Sequence, residues 1–168
     1  MIRYSNNDSA SALWRQIGLA PGMNSFNQML QLEETVANES AKKRGMWGVT
    51  QTTPNDQLTL LKTIVLPDSV INSKSQAYIQ DLMEHVTPSQ RFGIPTGVPA
   101  KIKNGVKNGW YPVSAGNWQV NSVGYVLAPN HRYLAAIMIT KTATYTSGIT
   151  SVNKVSQLLW DFQSNKTP

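Results

Sequence analysis

Apolar and polar positions follow two different periods along the chain. Up to about residue 100 apolar residues recur at helical spacing, beyond it they alternate as in strands, and a last helical stretch closes the sequence. "DSASALWRQIGL" puts Ala10, Leu13, Trp14 and Ile17 on one face, with Asn7 or Asp8 placed to cap the start and Gly18 to stop the end. "APGMNSFNQMLQL" predicts a second helix, capped by Asn24 or Ser25 and burying Phe26, Met29 and Leu30. "EETVANESAKKRG" has no period and reads as a polar loop long enough to carry a role. "TTPNDQLTLLKTIV" is a strong helix start: Thr53 caps, Pro54 takes the first helical position, Asp56 lies in the first turn, and Leu58, Leu61, Ile64 and Val65 share a face. "NSKSQAYIQDLMEHV" predicts a further helix with Tyr78, Ile79, Leu82, Met83 and Val86 on its apolar side. "TPSQRFGIPTGVPAKIKNG" is rich in Pro and Gly and reads as loop.

From Lys107 the period is that of strands: "KNGWYPV", then "WQVNSVGYVLA", a turn at Pro129-Asn130, and "RYLAAIMITK". The last two runs predict an antiparallel hairpin. "TSGITSVNKVSQLLWDFQ" ends the pattern as a helix with Ile149, Val152, Val155, Leu159 and Phe162 on one side. Helices, then three antiparallel strands, then one helix returning onto the sheet make an α+β fold. With 168 residues, 40% of them hydrophobic, the chain reads as one folding unit: 1–100 mainly helical, 101–168 strands plus the terminal helix.

Composition narrows the chemistry. Fifteen Lys and Arg against nine Asp and Glu leave a net charge of +6, but the basic residues are scattered, with a single run at Ala41 to Arg44. A nucleic-acid footprint would cluster, so nucleic acid is not an expected partner; a modest basic excess suits an anionic small molecule or an anionic cell-wall surface. There is no Cys, which excludes disulfides, thiolate metal sites and a Cys nucleophile. No second His or carboxylate stands at ligand spacing beside His85 or His131, so neither a metal nor a cofactor is expected. Trp14 and Trp160 fall on apolar helix faces and read as core. The start has no basic region followed by an apolar one, and no stretch is apolar for the length of a membrane span; the address of an exported parent protein would lie upstream of Met1.

Two short elements carry chemistry together: Ser5-Asn6-Asn7 at the head of a helix and Lys107-Asn108-Gly109 at the head of a strand. Each alone also fits a helix cap or a turn. In this order and context the chain resembles the C-terminal part of the class A β-lactamase and penicillin-binding family of serine acyl enzymes, in which a Ser-Asp-Asn element precedes a helix and a Lys-Thr-Gly element opens the strand lining the active site. "MIRYSNNDSASALWRQIG", "WGVTQTTPNDQLTLLKTIV" and "KNGWYPVSAGNWQVNSVGYVLA" carry the resemblance, which extends over nearly the whole chain. It implies a β-lactamase/transpeptidase-like fold whose N-terminal strands and helix are missing here. It also implies an extracytoplasmic parent protein and a β-lactam or peptidoglycan-peptide ligand. Carried over residue by residue, Ser5 shuttles a proton toward the leaving nitrogen and Asn7 hydrogen-bonds the substrate amide. Lys107 holds the Ser5 hydroxyl and offers charge to a substrate carboxylate. Gly109 admits substrate to the backbone, and the Trp110 N–H is an oxyanion donor, a kind of contact that contributes about 3 kcal/mol in the transition state. Asn108 stands where the family has Thr or Ser, keeping a hydrogen-bond donor for the substrate but changing its reach.

The departures are as informative. The family's nucleophile belongs to a Ser-x-x-Lys element ahead of the Ser-x-Asn; here such strings occur only at Ser40 to Lys43 and Ser151 to Lys154, both after Ser5, and both read as chance. Glu33, Glu34 and Glu39 occupy the region of the family's deacylating Glu, without its Glu-x-x-x-Asn pattern, and Asn6 replaces Asp. The expectation is a portion of a serine acyl hydrolase lacking its nucleophile, completed by a missing N-terminal half or found as a homodimer paired along an exposed "YLAAIMIT" edge; the other reading is a non-catalytic binding module on the same scaffold.

Overall fold

A computed structural model describes residues 1–165. Helices α1 (Asn7–Gln16), α2 (Leu19–Met29), α3 (Pro54–Val65) and α4 (Ser73–Glu84) come first. Strands β1 (Lys103–Ser114), β2 (Asn117–Leu127) and β3 (Arg132–Thr142) follow, and α5 (Tyr145–Ser164) closes the chain. The sheet is antiparallel in the order β1-β2-β3. The α+β order expected from the pattern is the one observed.

The sheet separates two cores. On one face, Val106, Val120, Ile137 and Val152 pack with Phe92 and Ile94 under α5. On the other, Tyr125 meets Leu61 of α3 and Met83 of α4. Ile2 touches both clusters, which anchors the start of the chain to the sheet. Thr53 caps α3 as expected, accepting from the Asp56 N–H. Asp56 is itself buried and accepts from the Glu34 N–H at 2.9 Å and the Thr35 hydroxyl at 2.7 Å, so the long polar loop is tied to the head of α3.

Several local expectations are corrected. Asn6, rather than Asn7 or Asp8, caps α1, its Oδ1 accepting from the Ser9 N–H at 2.7 Å. Of the face expected on α1, only Trp14 is buried; Leu13 and Ile17 are exposed. Helix α2 starts at Leu19 with left-handed Gly18 before it, not at Asn24 or Ser25, because Pro21 fits a first helical turn. Phe26 and Met29 are exposed and Asn27 is buried in their stead, donating to the Thr35 carbonyl at 2.8 Å. Tyr78 of α4 is exposed. Strand β1 begins at Lys103, so Lys107 sits within it. On α5 the buried stripe is Gly148, Val152 and Ser156, while Val155 and Phe162 are exposed.

Strand β3 is an edge, as expected, but its side chains are not left open. Ile137 is buried and Leu134 and Ile139 pack against the two cores, because side chains in a sheet stand perpendicular to the pairing direction. The edge offers backbone groups rather than an apolar surface.

Candidate active site

Three successive contacts deliver Ser5 to the sheet. Ile2 packs in the core, the Arg3 carbonyl accepts from the Thr87 N–H at 2.9 Å, and the Tyr4 carbonyl accepts from Gln90 Nε2 at 3.4 Å. The backbone then turns sharply through Ser5 at φ 45°, in the left-handed region that a non-glycine residue rarely adopts, and enters α1 through the Asn6 cap. Such strain persists where surrounding structure enforces it, commonly at functional sites.

The turn aims Ser5 at the middle of β1. Lys107 Nζ donates to Ser5 Oγ at 2.5 Å and also to the carbonyl of Asn108. No carboxylate lies within ion-pair distance of Lys107 among the described residues. Burial without a counter-charge lowers its pKa from the ordinary 10.5 to about 8. The two Lys-Asn-Gly strings of "KIKNGVKNGW" therefore have different surroundings: Lys103 pairs with Glu84 at 3.1 Å, and Lys107 meets Ser5.

Around this pair lies a cavity of about 460 Å³, bordered by Ser5 and Asn7 from the head of α1, by Lys107 and Gly109 of β1, and by Trp47 and Gln90 from loops. At Gly109 a Cβ would meet nothing within 4 Å, so the strand backbone is open to the cavity there. Asn7 is exposed at its rim. Trp110 borders the cavity and packs its ring against Phe92 and Tyr145, with centroids 6.2 and 5.3 Å apart.

Asn108 also borders the cavity, with its amide donor engaged by the neighbouring backbone. Its side chain is buried, and Nδ2 donates to the carbonyls of Gln90 at 2.8 Å and Phe92 at 2.9 Å, so the donor it was expected to offer is already engaged. These bonds fasten residues 90–92 alongside β1. Its Oδ1 and the Oε1 of Gln90 are buried without a hydrogen-bond partner.

Asn6, Trp47, Gln90 and Tyr111 also border the cavity and were missed by sequence reasoning. Asn6 carried a legible signal as a cap; the others are brought in by tertiary packing. Ser40, Ser151, Glu33, Glu34 and Glu39 do not border it. Glu34 accepts from the Thr53 hydroxyl and Glu39 from Asn24, and Glu33 and Glu39 line a separate polar cavity with Asn24, Asn27 and Gln31. His85 lies 3.0 Å from its helical neighbour Asp81, a carboxylate four residues earlier that the search for ligand spacing passed over. Among the described residues no three His, Asp or Glu converge on a metal position. No described helix is long and apolar enough to cross a membrane.

Residues 1–163 match the beta-lactamase enzyme family. The chain belongs to that family. Solved structures similar to it include PBP-A, at 25% identity and a TM-score of 0.80 over 98% of this chain and 59% of that one. The TLA-3 extended-spectrum beta-lactamase is 18% identical with a TM-score of 0.79, covering 94% and 60%. A class A beta-lactamase from Mycobacterium abscessus is 20% identical with a TM-score of 0.75, covering 96% and 61%. This member of the family thus spans about three fifths of the length of these structures. No curated protein matches it.

Proposed function

We propose that this chain forms the proton-relay and ligand-binding side of an acyl-serine hydrolase site acting on β-lactam or peptidoglycan-peptide amides. The observation that carries the reading is the 2.5 Å contact between Lys107 Nζ and Ser5 Oγ at the wall of an open cavity. In the proposed step a serine of a Ser-x-x-Lys element, supplied from outside residues 1–168, gives its proton to the lysine of that element and attacks the amide carbonyl, whose C–N bond then breaks. The leaving nitrogen takes the Ser5 proton, and Lys107 replenishes it. Asn7 holds the substrate amide, and the Trp110 N–H stabilises the oxyanion beside the open backbone at Gly109. Family membership and the likeness to PBP-A support the reaction class. They also support an extracytoplasmic parent protein. The element that completes the site is an N-terminal half of the same protein or part of a second copy, and the unpaired backbone edge of β3 is available to either.

The engaged amide of Asn108 favours a second reading, a binding module that keeps the scaffold without catalysis. Fluorescent penicillin separates the two when applied to the protein produced from the natural reading frame. Covalent labelling is expected, slowed at least ~100-fold by Lys107→Ala and less than about twofold by Lys103→Ala. Absence of label, or equal losses from the two variants, overturns the hydrolase reading.

A further inference from the structure

The Ser5–Lys107 pair has the makings of a nucleophile and its base, independent of any other serine. A serine becomes nucleophilic when a group within hydrogen-bond reach can take its proton, and an uncharged lysine is such a group. The distance is 2.5 Å, and among the described residues the only other acceptor that Lys107 meets is the neighbouring Asn108 carbonyl. Charged groups on the surrounding elements are Asp8 in the first turn of α1, Glu84 at the end of α4, Arg91 in the adjoining segment and Lys103 on β1; Tyr111 on β1 and His85 after α4 are also titratable. None of these makes an ion pair with Lys107. With a pKa of about 8, roughly a tenth of Lys107 is uncharged at pH 7. Ser5 borders the cavity, and the strained turn fixes its position. It directly precedes the cap of α1, whose positive end favours negative charge developing on the oxygen.

We infer that Ser5 is itself an acyl and phosphonyl acceptor, with Lys107 as its general base, for electrophiles whose leaving group departs without protonation: activated esters and fluorophosphonates. With a fluorophosphonate the balance is direct. The Ser5 Oγ–P bond forms, the P–F bond breaks, fluoride leaves, and the hydroxyl proton passes to Lys107 Nζ and then to solvent. This goes beyond the proton relay proposed above, because Ser5 here takes the group itself.

The test is incubation of the chain with a fluorophosphonate, followed by intact mass and peptide mapping. One adduct on Ser5 is expected, absent in Ser5→Ala. Its rate should rise with pH to a plateau with a midpoint near 8. Lys107→Arg, which keeps the charge but cannot release the proton, should slow the rate at least ~100-fold and remove the midpoint. Lys103→Ala should change the rate less than about twofold, and Lys107→Met serves should the arginine not fold. No adduct, an adduct confined to another residue, or a rate indifferent to Lys107 overturns the inference. Penicillin labelling of a different serine, with Ser5 unmodified by fluorophosphonate, would overturn this inference alone and leave the relay standing.

Discussion

Replacing Lys107 by Met is expected to make the protein more stable at neutral pH while disabling the site. Lys107 is partly buried with no opposing charge, and its pKa falls from 10.5 to about 8. At about 1.36 kcal/mol per unit, the folded state carries a penalty on the order of 3 kcal/mol for holding the charged form. The sign follows from linkage. Because the folded-state value lies below the unfolded one, the unfolded chain binds more protons between pH 8 and 10.5, and stability rises with pH across that window. The penalty is therefore complete below pH 8 and relieved above 10.5. Lys107→Met has no proton to lose there, so its stability relative to the natural chain should fall by about 3 kcal/mol from pH 7 to 10.5, whatever hydrogen-bond energy is lost at Ser5. Urea unfolding followed by Trp fluorescence at closely spaced pH values measures this, and the other ionisable groups cancel in the difference. A difference that stays flat across the window would refute the claim that Lys107 is held without a compensating charge.

Three further outcomes test the framework around the site. Asp56→Ala removes the buried acceptor of the Glu34 N–H and Thr35 hydroxyl and should cost about 2–4 kcal/mol, read as a melting-temperature drop of roughly 4–16 °C. Asn108→Leu leaves the carbonyls of Gln90 and Phe92 without their donor and should cost about 2–4 kcal/mol, with faster amide hydrogen exchange in residues 90–93; unchanged exchange there would show that the bonds do not fasten the segment. Gly148→Ala would put a Cβ 2.4 Å from Val120 Cγ2, and calorimetry should show a loss of about 1–3 kcal/mol, whereas a neutral result would mean α5 can lift from the sheet.

Elements whose signals are local were legible in the sequence, and those decided by packing were not. Thr53-Pro54 with Asp56 announced α3, because cap, proline and acidic first turn are all chemistry of the chain itself. Alternation announced β2 and β3 for the same reason. The start of β1 was hidden because Lys103-Asn104-Gly105 reads as a turn, whereas Gly105 is there to admit the Tyr125 ring, which a Cβ would meet at 2.5 Å. The face of α5 was read in part: Ile149, Val152 and Leu159 pack on the core, whereas Val155 and Phe162 stay exposed because the helix lies so close to the sheet that its buried stripe includes the small residues Gly148 and Ser156. Asn27 displaced Phe26 and Met29 from the interior because the Thr35 carbonyl on the long loop requires a donor, a demand invisible in a helical period. At the site, Ser5 and Lys107 were named from motif order and the structure brings them together across 102 positions. The bonds from the Asn108 amide to the 90–92 backbone were not foreseen, because that backbone is a partner no spacing rule points to.

The central claim is that ligand binds where the head of α1 faces β1. Two-dimensional amide NMR of the chain titrated with benzylpenicillin tests it most directly. The account predicts shifts at Ser5, Asn7, Lys107, Gly109 and Trp110, diminished in Lys107→Ala. Shifts confined to the polar cavity around Asn24, Asn27 and Glu39, or no shifts at saturating ligand, would contradict it.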